Sequence, residues 1–396
     1  MLASGFCPPL STNPATVAVS DATTLKAVVA SAQPNDTIAL ANGTYDLATG
    51  IAITAPGVTL RSVSGDPAKV VLVGGAAATV AISASNVTIA DLTIMNATTI
   101  ALLVQGSATA NTTGTKIYDV TFADAGGPAV RINALGGSVT GPFADTGTIA
   151  CSRFRDTPTG PSHCGGAILG IDASAARDWI VRDNDFRDLV CQNSLARVIL
   201  FRGGSRDTQV VRNRITGSNM NICLGIDPGT ARTYNDPLPA ACNGMTPQHW
   251  GGTICDNVID AQVLPQLGGN DFDTGIGLWS VCDGWVTHNT IVSPPGNETY
   301  HDIEYRFAGT YVHLVNNLVE EAPAARDMGV TDPAFAGSNV TYAALADFND
   351  AAQADFHLAA DAPEQPGVAL PAGNQCSTDA DGRPRAAVPT VGAYER

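Results

Sequence analysis

The chain has 396 residues, of which 44% are hydrophobic and only 15% are charged, so it can bury a large core and is not a disordered protein. Its net charge of −16 argues against a general nucleic-acid-binding protein, because the phosphate backbone would repel it. No run of about 18 or more apolar residues occurs, so the sequence predicts no membrane span.

The N-terminal segment, residues 1–45, is predicted to close one end of the molecule. Within it Asp21–Ala32 reads DATTLKAVVASA, which predicts an amphipathic helix capped by Asp or Thr and suited to covering an exposed sheet edge. The opening MLASGFCPPL lacks a charged region followed by a long apolar one. We interpret it as the mature start of a secreted protein.

Nine cysteines favour an oxidising compartment, so the expected location is secreted or periplasmic. No C-x-x-C pair occurs, which makes a zinc ribbon or a thioredoxin-type site a poor fit. The spacing does not define the connectivity, although Cys151–Cys164 and Cys242–Cys255 could each close a local loop. The odd number leaves at least one thiol unpaired in a monomer, which is the expected oligomeric state.

A six-residue phrase recurs through the middle of the chain: an apolar residue, two variable residues, Asn or a small apolar residue, a variable residue and an apolar residue. Its fourth positions follow one another at intervals of 28 to 44 residues. Each phrase is short, alternating and β-branched, which predicts a strand. The copies are Ile89–Ile94, Ile117–Phe122, Ile149–Phe154, Val181–Phe186, Val210–Ile215, Ile254–Ile259, Val286–Ile291 and Leu314–Val319.

Repeats of about 30 residues with several short strands and tight bends are typical of a parallel β-helix. No helix-length segment lies between most of the copies, which excludes βαβ crossovers and a TIM barrel. The predicted fold is therefore all-β: a single-stranded right-handed parallel β-helix of about 9–10 coils. One domain is expected over 1–396, with coils at 46–330 and an irregular C-terminal cap at 331–396.

Asparagines at the fourth position of consecutive phrases predict a buried ladder, in which each amide bonds to the backbone above and below. The alternative is a set of unrelated turn asparagines. The longest interval predicts a loop, Asp227–Gln248, that leaves the coil. The ladder residues would be Asn184, Asn213, Asn257, Asn289 and Asn317.

Several segments resemble known families of this fold. Ala32–Tyr45 (AQPNDTIALANGTY) resembles the opening coil of secreted parallel β-helix proteins, including chondroitinase-B-like and alginate lyases of polysaccharide lyase family 6. Asp355–Leu358 and Val391–Glu395 look like the closing segment of bacterial extracellular β-helix proteins. The resemblance implies the fold, whereas the superfamily includes lyases, hydrolases, epimerases and non-catalytic adhesins.

One departure from family 6 concerns the catalytic residues. These lyases are expected to use a Lys–Arg pair, and Arg202 in the sequence LFRG has a context like that of the family arginine. No lysine lies beyond Lys116, so the lysine base is missing.

Charge is unevenly distributed along the chain. Twelve of the 21 basic residues, all arginine, lie between Arg131 and Arg232, and this window carries +3 while the remainder carries −19. In a β-helix such a window forms three or four neighbouring coils, so the arginines would share one belt. Arginine binds carboxylate and sulfate groups through two parallel hydrogen bonds. For five of them the favoured alternative is that they are solvated turn residues paired with local aspartates: Arg182, Arg187, Arg206, Arg212 and Arg214.

A second strand follows each phrase, and stacking of these strands predicts a charged groove across the coils, suited to an extended sugar polymer. Alternation along a strand makes Glu304 and Arg306 point outward together. The loop containing Arg232 would lie over this groove. The predicted catalytic residues are Arg202, Asp227, Asp273, Glu304 and Arg306, and the predicted substrate-binding residues are Arg131, Asp172, Arg232, Trp279, His301 and Tyr305.

The predicted function is action on an acidic polysaccharide, first by β-elimination, which needs a base and a group that neutralises the uronate carboxylate. Alternatives are a glycoside hydrolase using two of the carboxylates and a non-catalytic binding or structural protein, in which the arginines and carboxylates only tie coils together. A Ca²⁺ ion among these acids would serve either chemistry, although no dense acidic loop motif is present.

Overall fold

The computed structural model describes residues 7–11, 14–75, 77–157, 168–190, 196–262, 272–293, 301–326, 335–342, 344–363, 365–371 and 376–396. In these residues the chain winds into a stack of coils whose strands pair in parallel with the coil above and the coil below. Most coils supply one strand to a ten-stranded sheet and between one and three to a 23-stranded sheet. The predicted parallel β-helix is confirmed.

The ten-stranded sheet forms one side of the stack. Its strands are Ile51–Ile53, Ala78–Ile82, Ile100–Gln105, Val130–Asn133, Ile168–Ser174, Arg197–Arg202, Met220–Gly225, Thr274–Trp279, Ile303–Arg306 and Ala324–Ala325.

The larger sheet bends along its length into two sides. The first side contains Val17–Val19, Thr37–Leu40, Thr59–Ser62, Thr148–Ala150, Ile180–Arg182, Ser205–Arg206, Gln209–Val211, His249–Trp250, Thr253–Cys255, Val281–Thr287, Tyr311–Val315 and Phe335–Gly337. The second contains Gly43–Asp46, Val70–Val73, Arg153–Arg155, Asp185–Arg187, Arg214–Thr216, Val258–Asp260, Thr290–Val292, Leu318–Val319 and Val340–Thr341, and the long strands Thr88–Met95 and Lys116–Ala123 contribute to both.

The remaining elements lie outside these sheets. The α-helix spans Ala22–Ala30, and the backbone N–H of Thr24 donates to the carboxylate of Asp21, which confirms the predicted aspartate cap. The shorter elements are the paired strands Thr112–Thr113 and Ala144–Asp145, the antiparallel strands Phe348–Asp350 and Asp355–Leu358, and the 3-10 turns Pro67–Lys69, Leu135–Gly137, Ala240–Cys242, Leu345–Asp347 and Ala351–Gln353. The α-helix is not long or apolar enough to cross a membrane, and the described residues contain no other candidate.

The core of the stack is a set of aligned apolar columns. In the ten-stranded sheet one fully buried column contains Val130, Ile171, Ile199, Ile222, Ile276 and Ile303. In the larger sheet the rings of Phe122, Phe154 and Phe186 stack at centroid distances of 4.8 and 4.4 Å. Because the coils repeat the same alternation, these apolar side chains stay aligned from coil to coil, although the register shifts at Ile168–Ile171 and at Cys282–Gly284.

The predicted asparagine ladder is confirmed. Asn257 donates its amide hydrogens to the carbonyl of Val210 and the side-chain oxygen of Asn289, and its own side-chain oxygen accepts from the backbone and side chain of Asn213. The ladder extends beyond the predicted residues, since Asn339 bonds to Asn317 in the same way. The residue before each ladder asparagine has a positive φ, which makes the turn into the next strand.

Both terminal segments pack along the sides of the stack. The segment at Cys7 and Leu10 lies against Tyr118 and Ala150 and is joined to the coils by the disulfide Cys7–Cys151. The C-terminal segment packs on three outward apolar residues in successive coils, Val258, Val292 and Leu318. The outer face of the ten-stranded sheet is the side on which the candidate site lies.

The local disulfides suggested from the sequence, Cys151–Cys164 and Cys242–Cys255, are not formed. Cys151 pairs with Cys7, and Cys242 pairs with Cys282. Cys255 pairs with Cys376. The pairs span 144, 40 and 121 residues because stacking places residues from distant coils side by side. Cys164 lies outside the described residues.

Candidate active site

The outward residues of the ten-stranded sheet form a charged surface that we call the arginine face, defined by Arg131, Asp172, Arg202, Trp279, Glu304 and Arg306. Parallel pairing sets its register. Arg131 lies opposite Asp172, and the same column continues through Leu200, Cys223 and Gly277 to Glu304. Trp279 lies opposite Arg306 in the neighbouring outward column. The sequence therefore correctly places these side chains on one face.

At one end of the arginine face, Asp172 is held between two arginines. Arg131 approaches it to 3.0 Å and Arg202 to 3.2 Å, and the Asp172 side chain is only 2% exposed. Both arginine side chains remain 33% exposed. This group is a fixed pair of guanidinium groups with solvent-facing edges, which suits binding an anionic ligand.

At the other end, two buried carboxylates share one arginine. The Nη1 atom of Arg326 lies 3.1 Å from Oε1 of Glu304 and 3.6 Å from Oδ1 of Asp273. Both carboxylates are fully buried, and the Arg326 side chain is 15% exposed. Two of the three acids predicted from sequence as catalytic candidates, Asp273 and Glu304, are therefore neighbours, whereas the third, Asp227, is not part of this group.

The two carboxyl groups differ in their hydrogen bonds. Glu304 accepts from Nε1 of Trp279 at 2.6 Å and from Arg326 on both of its oxygens. Asp273 accepts from the hydroxyl of Thr274 through Oδ1, whereas its buried Oδ2 has no hydrogen-bond partner among the described residues. Donors favour the ionised form, so Glu304 is better suited to carry the charge and Asp273 to carry the proton.

Burial raises the pKa of both carboxyl groups. For Glu304 burial outweighs the opposing effect of Arg326, and for Asp273 burial outweighs the hydrogen bond from Thr274 and the charge of Arg326. A pair of adjacent carboxyl groups with raised pKa values is suited to proton transfer. Nearby, burial also raises the pKa of the free thiol of Cys223 to about 11, so that thiol stays protonated.

Three guanidinium groups surround the indole of Trp279. Those of Arg197, Arg306 and Arg326 lie 4.9, 5.2 and 5.7 Å from the ring. Trp279 is 4% exposed. It therefore positions the arginines and Glu304 rather than offering an open platform for a sugar ring.

Four predicted site residues lie apart from these groups. Arg232 binds Asp145 at 2.8 Å, and Asp227 is exposed in the loop after its strand. His301 binds Glu321 at 2.8 Å. Tyr305 lies in the apolar core, because the alternation that turns Glu304 and Arg306 outward turns Tyr305 inward.

The sequence interpretation missed Arg197 and Arg326. Arg326 directly follows the two-residue strand Ala324–Ala325, which is too short to show alternation, so only the stacking reveals it. Arg197 begins the strand Arg197–Arg202 but is five residues from Arg202, so alternation alone would place it on the opposite face and does not reveal it.

The acids of the arginine face and the adjacent Asp273 do not suit a calcium ion. Asp172, Asp273 and Glu304 each face a guanidinium group, which opposes a divalent cation. Among the described residues, one group of three potential metal ligands occurs, Cys255, Asp256 and Cys376, and its cysteines form a disulfide.

Comparisons with solved structures return proteins of the same fold. An alginate lyase from Paenibacillus sp. str. FPU-7 is 15% identical, with a TM-score of 0.43 over 72% of this chain and 97% of that one. Pectate lyase Pel9A is 14% identical, with a TM-score of 0.48 over 93% and 90%. The A-module of the Azotobacter vinelandii mannuronan C-5 epimerase AlgE4 is 10% identical, with a TM-score of 0.44 over 81% and 91%.

These likenesses are too distant to assign chemistry to the chain. No protein-family model matches the sequence, and no curated protein matches it. The case for a function therefore depends on the arginine face itself.

Proposed function

We propose that the protein binds an acidic polysaccharide along the arginine face and cleaves it by β-elimination at Glu304 and Asp273. The observation that carries the proposal is the surplus of positive charge at this face. Among the described residues, five arginines (Arg131, Arg197, Arg202, Arg306 and Arg326) lie there with three acids (Asp172, Asp273 and Glu304), whereas the whole chain carries −16. A local positive surface on an acidic protein selects an anionic partner.

Spacing along the stack suits a polymer. Arg202 and Arg306 lie in strands separated by three coil steps, which is roughly 14 Å at about 4.8 Å per step. The group around Asp172 and the group around Trp279 would therefore contact different units of one chain. Cleavage would occur at the second group, since the two adjacent carboxyl groups lie there.

The reaction follows from the different environments of the two carboxyl groups. The uronate carboxylate would bind Arg326 and draw it away from Glu304. Ionised Glu304 then removes the proton at C5, the electron pair forms a C4–C5 double bond, and the C4–O4 bond breaks. Protonated Asp273 donates its proton to the leaving oxygen. The products are a shortened chain and an unsaturated uronate.

Glycoside hydrolysis is the second candidate, because two carboxyl groups that meet on one guanidinium nitrogen could also serve as acid and base. The two reactions give different products. Elimination produces the absorbance of the unsaturated uronate, whereas hydrolysis releases reducing ends without it.

The decisive experiment uses Glu304→Gln with a matched control. The protein is incubated with a panel of uronate polymers, and absorbance and reducing ends are followed. The control is Asp183→Asn, because Asp183 is also buried and bound by two arginines, Arg182 and Arg212, but lies outside the arginine face. We expect Glu304→Gln to lose activity by about 10²-fold or more with a similar melting temperature, while Asp183→Asn keeps its activity.

Two results would count against cleavage at this site. Equal activity in Glu304→Gln and the wild type would remove Glu304 from the reaction. Retention of the wild type on immobilised polymer without any product would identify a binding protein. Activity should also rise with pH through the raised pKa of Glu304 and fall again as Asp273 loses its proton.

A further inference from the structure

A separate cavity of about 120 Å³ lies between the loop Asp227–Gln248 and the coil that contains Gly204 and Trp250. The apolar part of its lining comes from Leu238, Met245, Pro247 and the rings of Tyr234 and Trp250, and the polar part includes Asp236, Thr233 and Thr246.

The loop is held in place at several points. The buried side chain of Gln248 accepts from the N–H of Gly203 and donates to the carbonyl of Gly229, which ties the loop to a coil. Gly204 has φ +78°, and an added Cβ would lie 2.4 Å from the backbone of Arg232, so the loop passes too close for a side chain. Together with the disulfide Cys242–Cys282, these contacts hold the cavity in a preformed shape before any ligand binds.

Arg232 in the lining of the cavity and Arg206 beside it are already paired with acids. Arg206 binds Asp207 at 2.8 Å and Asp236 at 2.5 Å. Arg232 binds Asp145 through two hydrogen bonds of 2.8 and 3.0 Å. In contrast to the arginine face, these guanidinium groups carry no surplus positive charge for a second anion, so the ligand that fits is uncharged.

The aromatic rings indicate which uncharged ligand fits. The guanidinium of Arg206 lies 3.8 Å from the ring of Trp250, and Tyr234 meets that ring edge-on at 5.9 Å. The indole is therefore held at a fixed angle in the wall of the cavity. An aromatic wall with hydroxyl and carboxylate groups at the rim matches the apolar face and hydroxyl edge of a pyranose ring.

We propose that this cavity binds one neutral sugar unit. Its wall is close to the arginine face, since the N–H of Arg232 donates to the carbonyl of Gly203, the residue after Arg202. A neutral unit or branch of a mixed polymer could therefore occupy it while uronates contact the arginines. The sugar site does not depend on cleavage.

Binding is tested without turnover, by calorimetric titration and saturation-transfer NMR with glucose, galactose, mannose, N-acetylglucosamine and glucuronate. Trp250→Ala removes the aromatic wall, and Thr246→Trp fills the cavity from its exposed rim. The control is Trp285→Ala, because Trp285 is a half-buried indole stacked on His313 outside the cavity. We expect a neutral sugar to bind the wild type and Trp285→Ala alike, and both cavity variants about tenfold more weakly.

Three outcomes overturn the proposal. The first is that none of the neutral sugars binds. The second is that a neutral sugar binds Thr246→Trp as tightly as it binds the wild type. The third is that glucuronate binds best at this cavity and is released by salt. Because the readout is binding of single sugars, failure here leaves the cleavage experiment unaffected. Loss of cleavage likewise leaves the sugar titration interpretable.

Discussion

Replacing Asn257 by alanine tests how the coils are held in register. Asn257 is fully buried, and its side-chain oxygen accepts from the backbone N–H of Asn213 at 2.9 Å. Its amide donates to the carbonyl of Val210 at 2.8 Å. Alanine would leave both backbone groups without these partners in a region that water does not reach.

The expected cost follows from these two groups. An orphaned buried N–H costs about 1–3 kcal/mol, and loss of a further net hydrogen bond about 1 kcal/mol, so the free energy of unfolding should fall by about 2–4 kcal/mol. Unfolding entropy near 2.1 cal/mol/K per residue gives ~0.8 kcal/mol/K for this chain. The melting temperature should therefore fall by only about 2–5 °C.

Differential scanning calorimetry measures that shift, and amide hydrogen exchange gives a local readout at Asn213. The control is Asn243→Ala, because Asn243 is exposed in the loop. We expect faster exchange at Asn213 in Asn257→Ala alone. If the two variants have the same melting temperature and the same exchange rate at Asn213, the ladder does not hold the coils in register.

Two further predictions concern the C-terminal segment. The side chain of Arg385 is fully buried and binds Asp256 and Glu395, so Arg385→Ala should lower the free energy of unfolding by about 3–5 kcal/mol. Denaturant unfolding measures this change, and an unchanged midpoint would contradict a stabilising role. His357 lies between Asp355 and Asp381, whose hydrogen bonds outweigh burial and raise its pKa above the ordinary 6.5. The stability that protonated His357 contributes should be complete below about pH 6.5 and should disappear as the pH rises through the higher pKa of the folded state. Limited proteolysis of this segment should therefore become faster with rising pH in the wild type but not in His357→Gln.

The repeated strands and the asparagine ladder could be predicted from the sequence because successive coils repeat the same six-residue pattern. Asn184 and Asn289 occupy the same place in successive phrases, and Glu304 and Arg306 alternate within one strand. Burial of the pair Glu304 and Asp273 could not be predicted, because Arg326 comes from a strand too short to recognise. The positions of Arg232 and Asp227 depend on the path of a non-repeating loop, which alternation does not describe.

Repeat proteins ordinarily lose structure from their ends, since each terminal unit has one neighbour instead of two. In this molecule each terminal segment is bonded covalently to an internal coil, through Cys7–Cys151 and Cys255–Cys376. A terminal segment that detaches therefore stays tethered beside its binding surface and can re-dock at once. The oxidised chain should resist fraying and exoproteolysis from both ends, and reduction should convert it into a stack that unzips coil by coil.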